Sequence, residues 1–469
     1  MIPLSLDRVA QVVGGQIHGD SDVEVTGVAV IDSREAMPGD LFVAFRGEHV
    51  DGHDFAEVAA AAGAVAVLGS RPVGALPTVV VPDVQLALQE LARVVLAQLR
   101  EHLIVVAVTG SAGKTTVKDM LAWVLARSAE TVATRGSFNN EIGLPLTVLR
   151  ANQSTRFLVL EIGARGIGHL AELARIAPPD VSLVLNVGTA HLGEFGSRTN
   201  IGLAKGELVE ALDTDGVAVL NQDDPEVASM AERCAGSVIT FGRAQSADLQ
   251  LSQVRLDDYG RARFQLSNRG VGQQVSLQLL GEHQALNAAA VAAAAGACGL
   301  EFRECVSALE QITTLSPWRM ELREGADGLV VINDAYNANP ESMQAALSTL
   351  GAIGKRTGRR TIAVLGEMRE LGAGSSRLHQ QVGSGTQDID VVLTVGPGAS
   401  GIALGRNALA GDRSHTVKVE SPDGATEWLR QNVRSNDVVL VKASRSIGLE
   451  AVAQALLEQH PGRHGGQIV

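Results

Sequence analysis

Aromatic side chains are scarce in this sequence, 3% of 469 residues, although 45% of the residues are hydrophobic. A core without large rings has to be filled by Ala, Val and Leu. With frequent Gly, that composition suits alternating strands and helices better than a sandwich or a disordered chain. Cysteine is nearly absent. Cys234, Cys298 and Cys305 show no C-x-x-C spacing and cannot all pair, so they read as buried thiols of a reducing compartment. Basic residues are in deficit: a net charge of −13 excludes a general nucleic-acid-binding surface, while leaving room for a local phosphate site. No run approaches the ~20 apolar residues needed to cross a bilayer. Asp7 and Arg8 interrupt the opening apolar stretch where a secretory signal would continue. These absences predict a cytoplasmic protein with no stable membrane insertion, and a monomer by default.

The chain is too long for one ordinary core, and three α/β units are expected, over 1–83, 84–315 and 316–469. In the first, Val23 to Ile31 and Asp40 to Phe45 read as strands and Phe55 to Ala62 as a helix. The second opens with a helix around Leu86 to Arg100. Continuous apolar runs then follow at Leu103–Thr109, Phe157–Ile162, Val181–Val187 and Gly216–Leu220, the pattern of buried parallel strands in a doubly wound sheet. A polar, strand-like section spans about 247 to 280, before an Ala-dominated helix from Gln284. Beyond Ser316-Pro317, runs at Leu329–Ile332, Thr361–Leu365, Val391–Val395 and Asp437–Val441 predict a smaller, Rossmann-like parallel unit. The final stretch, 461–469, reads as frayed.

The most informative local signal is Gly110-Ser111-Ala112-Gly113-Lys114-Thr115-Thr116, directly after the first of those central strands. A glycine turn entering a helix aims backbone N–H groups and the positive end of the helix dipole at phosphate. Lys114 adds a point charge, and the Thr115 hydroxyl suits Mg²⁺. Val108 stands where the general Walker pattern has its first glycine, so this is the shorter T-G-x-x-G-K-T-T form. It predicts a nucleoside triphosphate site without naming a reaction.

Glu161 closes the strand from Phe157, on the sheet edge where α/β proteins bind ligands. It reads either as a Walker B-like holder of Mg²⁺ or as a strand-end acid facing solvent. His191, in a Gly-rich loop after Val187, is a candidate second metal ligand or an exposed loop histidine. Lys205 is expected at the start of a helix, and its plain reading is a surface lysine.

The ordered set of motifs resembles the Mur ligase family of ATP-dependent amide-bond ligases, over nearly the whole chain. The phosphate loop is followed by Phe138-Asn139-Asn140-Glu-Ile-Gly-Leu-Pro145, then Glu161, His191 and Lys205, then Gly281-Glu-His-Gln-Ala-Leu-Asn287, Arg319 and Asp334. Asn333-Asp-Ala-Tyr-Asn-Ala-Asn-Pro-Glu-Ser-Met343 and Leu365-Gly-Glu-Met-Arg-Glu-Leu-Gly372 are most similar to the branch that adds D-alanyl-D-alanine. The Asp-Asn-Pro-Arg/Lys motif of the branch adding diaminopimelate or lysine is missing.

The resemblance implies a UDP-binding first unit, a central ATPase unit and a C-terminal ligase unit. The implied substrates are ATP, a UDP-N-acetylmuramoyl-tripeptide and D-alanyl-D-alanine, joined through an acyl phosphate. It implies two Mg²⁺ ions near Thr115, Glu161, His191 and Lys205, the last carbamylated. Asn287, Arg319 and Asp334 become nucleotide contacts completed by domain closure. Asn139 and Asn140 are implied on the substrate side, Tyr336, Asn337 and Asn339 on the nucleotide or dipeptide side, and Ser33 and Arg34 for the UDP moiety. A structural salt bridge remains an equal reading of Arg34, and Lys442 and Arg445 are balanced between substrate contact and solvated charge. Trp318 departs from the small residue expected before Arg319. The rival readings are a sister or folylpolyglutamate-type ligase, a P-loop small-molecule kinase, and a silent binding protein.

Overall fold

A computed structural model describes residues 1–188, 192–409 and 415–460. The central sheet is built on strands β1 (Ile104–Thr109), β2 (Thr131–Ala133), β3 (Phe157–Glu161), β4 (Val181–Val184), β5 (Val217–Asn221), β6 (Ser237–Gly242), β7 (Leu249–Leu256), β8 (Arg261–Asn268) and β9 (Val271–Leu280), in the order 9-8-7-6-5-4-1-3-2. Strands from β2 to β7 run parallel; β8 and β9 close the far edge antiparallel. Both faces of β1 are covered, which is why its sequence is apolar without alternation. Val105 and Ala107 enter one core, with the helix Val84–Leu99; Val106 and Val108 enter the other. That second core is filled by α1 (Lys114–Leu125) and the alanine-rich α3 (His283–Ala297), whose small side chains let it lie close to the sheet. On the first face lies α2 (Arg198–Glu210). The chain steps from β1 outward to β2 and β3 and returns on the other side with β4. The loop after β1 therefore stands at the topological switch point, where such sheets bind ligands.

The C-terminal sheet holds β10 (Glu321–Glu324), β11 (Val330–Asn333), β12 (Thr361–Leu365), β13 (Val391–Val395), β14 (His415–Val419) and β15 (Val438–Lys442), in the order 10-11-15-12-13-14, parallel except for β10. Helix α4 (Pro340–Thr357) packs on it and starts with Asn339 as its cap.

The N-terminal unit corrects the expected strand over Val23 to Ile31. Glu24–Val25 pairs with Leu4–Ser5, and Ala29–Val30 pairs with Leu41–Val43 in a separate five-stranded sheet. The break falls at Gly27, where an added Cβ would meet the Asp40 carboxylate at 2.1 Å; that carboxylate accepts Val28 N–H at 2.7 Å. The expected helix begins as a short 3-10 turn at Gly52–Phe55 before Ala56–Ala62. Cys298 and Cys305 are buried, but Cys234 is only half-buried, against expectation. The stretch 461–469 lies outside the described residues, and no described helix is long and apolar enough to cross a membrane.

Candidate active site

The loop after β1 turns into α1 through Gly113, whose φ of +85° belongs to the left-handed region that glycine adopts without strain. A Cβ there would also stand 3.2 Å from Asn287 Oδ1. The loop is held open by Asn186, just past β4: its Oδ1 accepts from Ser111 N (3.0 Å) and Ala112 N (2.9 Å). Gly188 N donates to Ser111 Oγ (2.9 Å). Lys114 Nζ folds back on Gly110 O at 2.8 Å. Burial depresses the Lys114 pKa, with Glu161 opposing that shift and Arg319 adding to it. Thr116 is buried at the first turn of the helix.

Glu161 is not a solvent-facing acid: it is 2% exposed at the end of β3. One oxygen accepts from Thr115 Oγ1 (2.6 Å) and the other from Asn139 Nδ2 (2.8 Å). Asn140 spends its Oδ1 on Gly143 N (2.9 Å), fixing the loop that presents Asn139. Lys205 is neither on the surface nor at a helix start. Helix α2 begins seven residues earlier, capped by Ser197, and Lys205 lies on its buried side, 5% exposed. It makes no hydrogen bond or ion pair among the described residues. Burial first, and then the charge of Lys114, hold its amine well below the ordinary lysine range. His191 lies outside the described residues.

The C-terminal unit supplies the other wall. Arg319 Nη2 donates to Thr115 Oγ1 at 2.8 Å, and its guanidinium lies 4.2 Å over the Tyr336 ring. The Tyr336 and Ser137 hydroxyls are 2.5 Å apart. Trp318 and Met320, flanking Arg319, have φ of +60° and +51°. Such conformations cost of order 1–3 kcal/mol each and persist only where the surroundings fix them. Met320 N donates to Asp334 Oδ1 (3.1 Å), and Lys442 Nζ pairs with Asp334 Oδ2 (2.7 Å). Lys442 is 2% exposed and also donates to Asn337 O (2.8 Å), so it is not a solvated charge. Arg445 instead pairs with Glu450 and stacks 4.3 Å over Trp318. Asn337 accepts Ala338 N at 2.8 Å, while Asn339 caps α4 and reaches Ser111 O at 3.4 Å. Half-buried His283 has its pKa lowered, chiefly by desolvation.

These groups line one cavity of about 510 Å³ that joins the phosphate loop, Glu161 and Lys205 to Asn287, Arg319, Asp334, Tyr336, Asn337 and Asn339. Ser33 and Arg34 are not among its lining residues. Arg34 is exposed and makes a 2.6 Å salt bridge with Asp32, whose carboxyl it pulls down to about 2. Asn186, Ser137 and His283 line the cavity without having been anticipated. Only Asn186 carried a usable signal, its place at the carboxyl end of a buried strand.

A phosphate-loop sheet whose cavity is closed by a second parallel α/β unit defines the class: the chain belongs to the Mur ligase family. Residues 24–103 match the model described as "Mur ligase family, catalytic domain", 108–295 the "Mur ligase middle domain" and 318–445 the "Mur ligase, glutamate ligase domain". Within the family, it is 42% identical to the UDP-N-acetylmuramoyl-tripeptide–D-alanyl-D-alanine ligase of Mycobacterium bovis, over 97% of this chain and 98% of that protein. It superposes on a crystal structure of MurF from Acinetobacter baumannii with a TM-score of 0.86, at 31% identity over 97% and 99% of the two chains. MurF ligase from Thermotoga maritima in complex with ADP matches with a TM-score of 0.79, at 32% identity over 93% and 98%.

Proposed function

We infer that this chain uses ATP to ligate D-alanyl-D-alanine to UDP-N-acetylmuramoyl-tripeptide, completing the pentapeptide of a peptidoglycan precursor. One observation carries the site reading. Thr115 bonds at once to Glu161 of the central sheet and to Arg319 of the C-terminal unit, so two units meet at the phosphate loop. The full-length similarity to UDP-N-acetylmuramoyl-tripeptide–D-alanyl-D-alanine ligases carries the choice of substrates.

The reaction proceeds in two steps. The tripeptide carboxylate attacks the γ-phosphorus of ATP and ADP leaves; the dipeptide amine then attacks the acyl carbon and phosphate leaves. The first step brings an anion to a polyanion, so positive charge and N–H donors are the main demand. Lys114, the loop N–H groups of Gly110 to Gly113, and Arg319 supply them, with Thr116, Asn287 and Asp334 completing the nucleotide contacts. The Thr115 hydroxyl and the buried Glu161 carboxylate are hard oxygen donors that fit Mg²⁺. Two such donors leave room for an ion that shares its shell with phosphates. His191 and Lys205 are the proposed holders of a second ion. When bound, the ions supply charge neutralisation of the phosphates.

Lys205 is suited to carbamylation, because lowering the pKa of a buried amine raises its share of the neutral form, the form that adds CO₂. The product carries an anionic oxygen where an ammonium would repel a metal. Asn139, Asn140, Tyr336, Asn337 and Asn339 are assigned to the substrate side, and Ser33 and Arg34 to the UDP moiety, over units 1–83, 84–315 and 316–469. Enclosure between the last two keeps water from the acyl phosphate. The protein acts as a cytoplasmic monomer, where ATP is supplied.

The test is phosphate release with ATP and Mg²⁺, adding the two peptide substrates separately and then together. Release that requires both supports the ligase. Release with one acceptor alone identifies a kinase and sinks the reading.

A further inference from the structure

Asp119 stands one turn after Thr115 on α1, and neither it nor its neighbour Lys118 has a part in the chemistry above. Its Oδ2 accepts from Ser316 Oγ at 2.5 Å and from Ser316 N at 3.2 Å, across 197 positions of sequence. Three residues beyond Ser316, Arg319 donates to Thr115. Thr115 and Asp119 lie about 6 Å apart along the same helix face, a span that the segment from Ser316 to Arg319 can bridge. The segment entering the C-terminal unit is thus tied to the phosphate-loop helix at two points.

The second Asp119 oxygen pairs with Lys118, which is 2% exposed and also donates to Thr134 O at 2.7 Å. Thr134 Oγ1 in turn accepts Glu161 N at 3.0 Å. The tie and the acid therefore share one hydrogen-bonded frame. Downstream of the tie, Trp318 and Met320 hold left-handed backbone, and Met320 N is fixed on Asp334. Strained backbone of this kind persists only where its surroundings fix it, and Asp119 fixes it on the upstream side.

We propose that Asp119, supported by Lys118, is a positioning residue for ligation: it clasps Ser316 to the phosphate-loop helix so that Arg319 is delivered over Thr115. This rests on the reading of Arg319 as a nucleotide contact in the ligase.

The test is a double-mutant cycle in the full chain, read as phosphate release with both peptide substrates. Removing Asp119 alone would strand a buried lysine, so the pair is replaced together as Lys118→Met/Asp119→Ala. Ser316→Ala independently removes the hydroxyl bond of the clasp and leaves the backbone one, and Ser316→Thr keeps the hydroxyl. The pair variant is expected to lower kcat by roughly ten- to a hundredfold, with KM for the UDP-linked substrate unchanged. Ser316→Ala lowers it in the same sense and Ser316→Thr recovers it. In an Arg319→Ala background, both clasp variants should change kcat by less than about twofold. Losses that multiply with that of Arg319→Ala, or clasp variants that turn over like the wild type, overturn the proposal. Should the pair variant fail to fold, the Ser316→Ala cycle decides in the same terms. Wild-type enzyme that forms no amide rejects the ligase reading instead; the same cycle measured on ADP affinity by calorimetry then judges the clasp without turnover.

Discussion

Lys205 shows how burial changes what a residue type can do. An exposed lysine at neutral pH is almost wholly protonated, whereas this one, enclosed and facing Lys114, has its pKa well lowered. Its neutral fraction at pH 7–8 therefore exceeds that of a free lysine. Carbamylation adds CO₂ to that neutral amine and releases a proton, so acid reverses it. Turnover in CO₂-depleted buffer should fall severalfold and return on adding bicarbonate, with a steeper loss below neutral pH. Lys205→Ala should be inactive and partly rescued by short carboxylates. A rate indifferent to CO₂ removes the carbamate from the account. At Glu161 the carboxylate joins Thr115 and Asn139, and Glu161→Gln keeps the shape while removing the charge. We expect kcat to fall by roughly a hundredfold or more with the melting temperature little changed. The thiols divide by the same physics. Burial pushes Cys298 and Cys305 up to about 12, so alkylation of the native protein at pH 8 should mark Cys234 first, and all three only after unfolding.

Among the elements, the turn into α1 is the most constrained. Gly113→Ala places a side chain on left-handed backbone and beside Asn287. The strain, about 1–2 kcal/mol, should appear as weaker ATP binding by roughly tenfold, measurable as a raised KM for ATP. Most elements around this turn were legible in the sequence, because strands buried on both faces read as unbroken apolar runs: β1, β3, β12 and β13 fall within a residue or two of expectation. Less legible were features set by distant partners. Gly27 breaks a strand because Asp40 lies against it. Lys205 lies inside α2 rather than at its start because the Ser197 side chain caps the helix seven residues before it, and Gly206 within the helix makes room for a distant partner: an added Cβ there would stand only 1.7 Å from the Arg233 guanidinium. Glu161 was legible as an acid at a strand end and Lys205 only through the order of the motifs, but the burial of both was invisible there, since it comes from helices and loops far along the chain. The Lys442–Asp334 pair was half-legible: both residues end parallel strands, and only the strand order makes β11 and β15 neighbours.

For the whole molecule, the cavity belongs to no single unit. The central sheet provides the phosphate loop and an acid, and the C-terminal sheet provides Arg319, Tyr336 and the Lys442-held Asp334. Each unit alone lacks one wall, which suits a reaction whose acyl phosphate must be kept from water. Selection of a dipeptide at that cavity is what separates this ligation from the addition of a single amino acid. Its most direct test is the mass of the product formed from UDP-N-acetylmuramoyl-tripeptide, ATP and Mg²⁺ with an equimolar mixture of D-alanyl-D-alanine, D-alanine, L-lysine and diaminopimelate. One product is expected, heavier by the dipeptide less one water, formed in step with phosphate. A product carrying a single amino acid, or phosphate released with no amide formed, would contradict it.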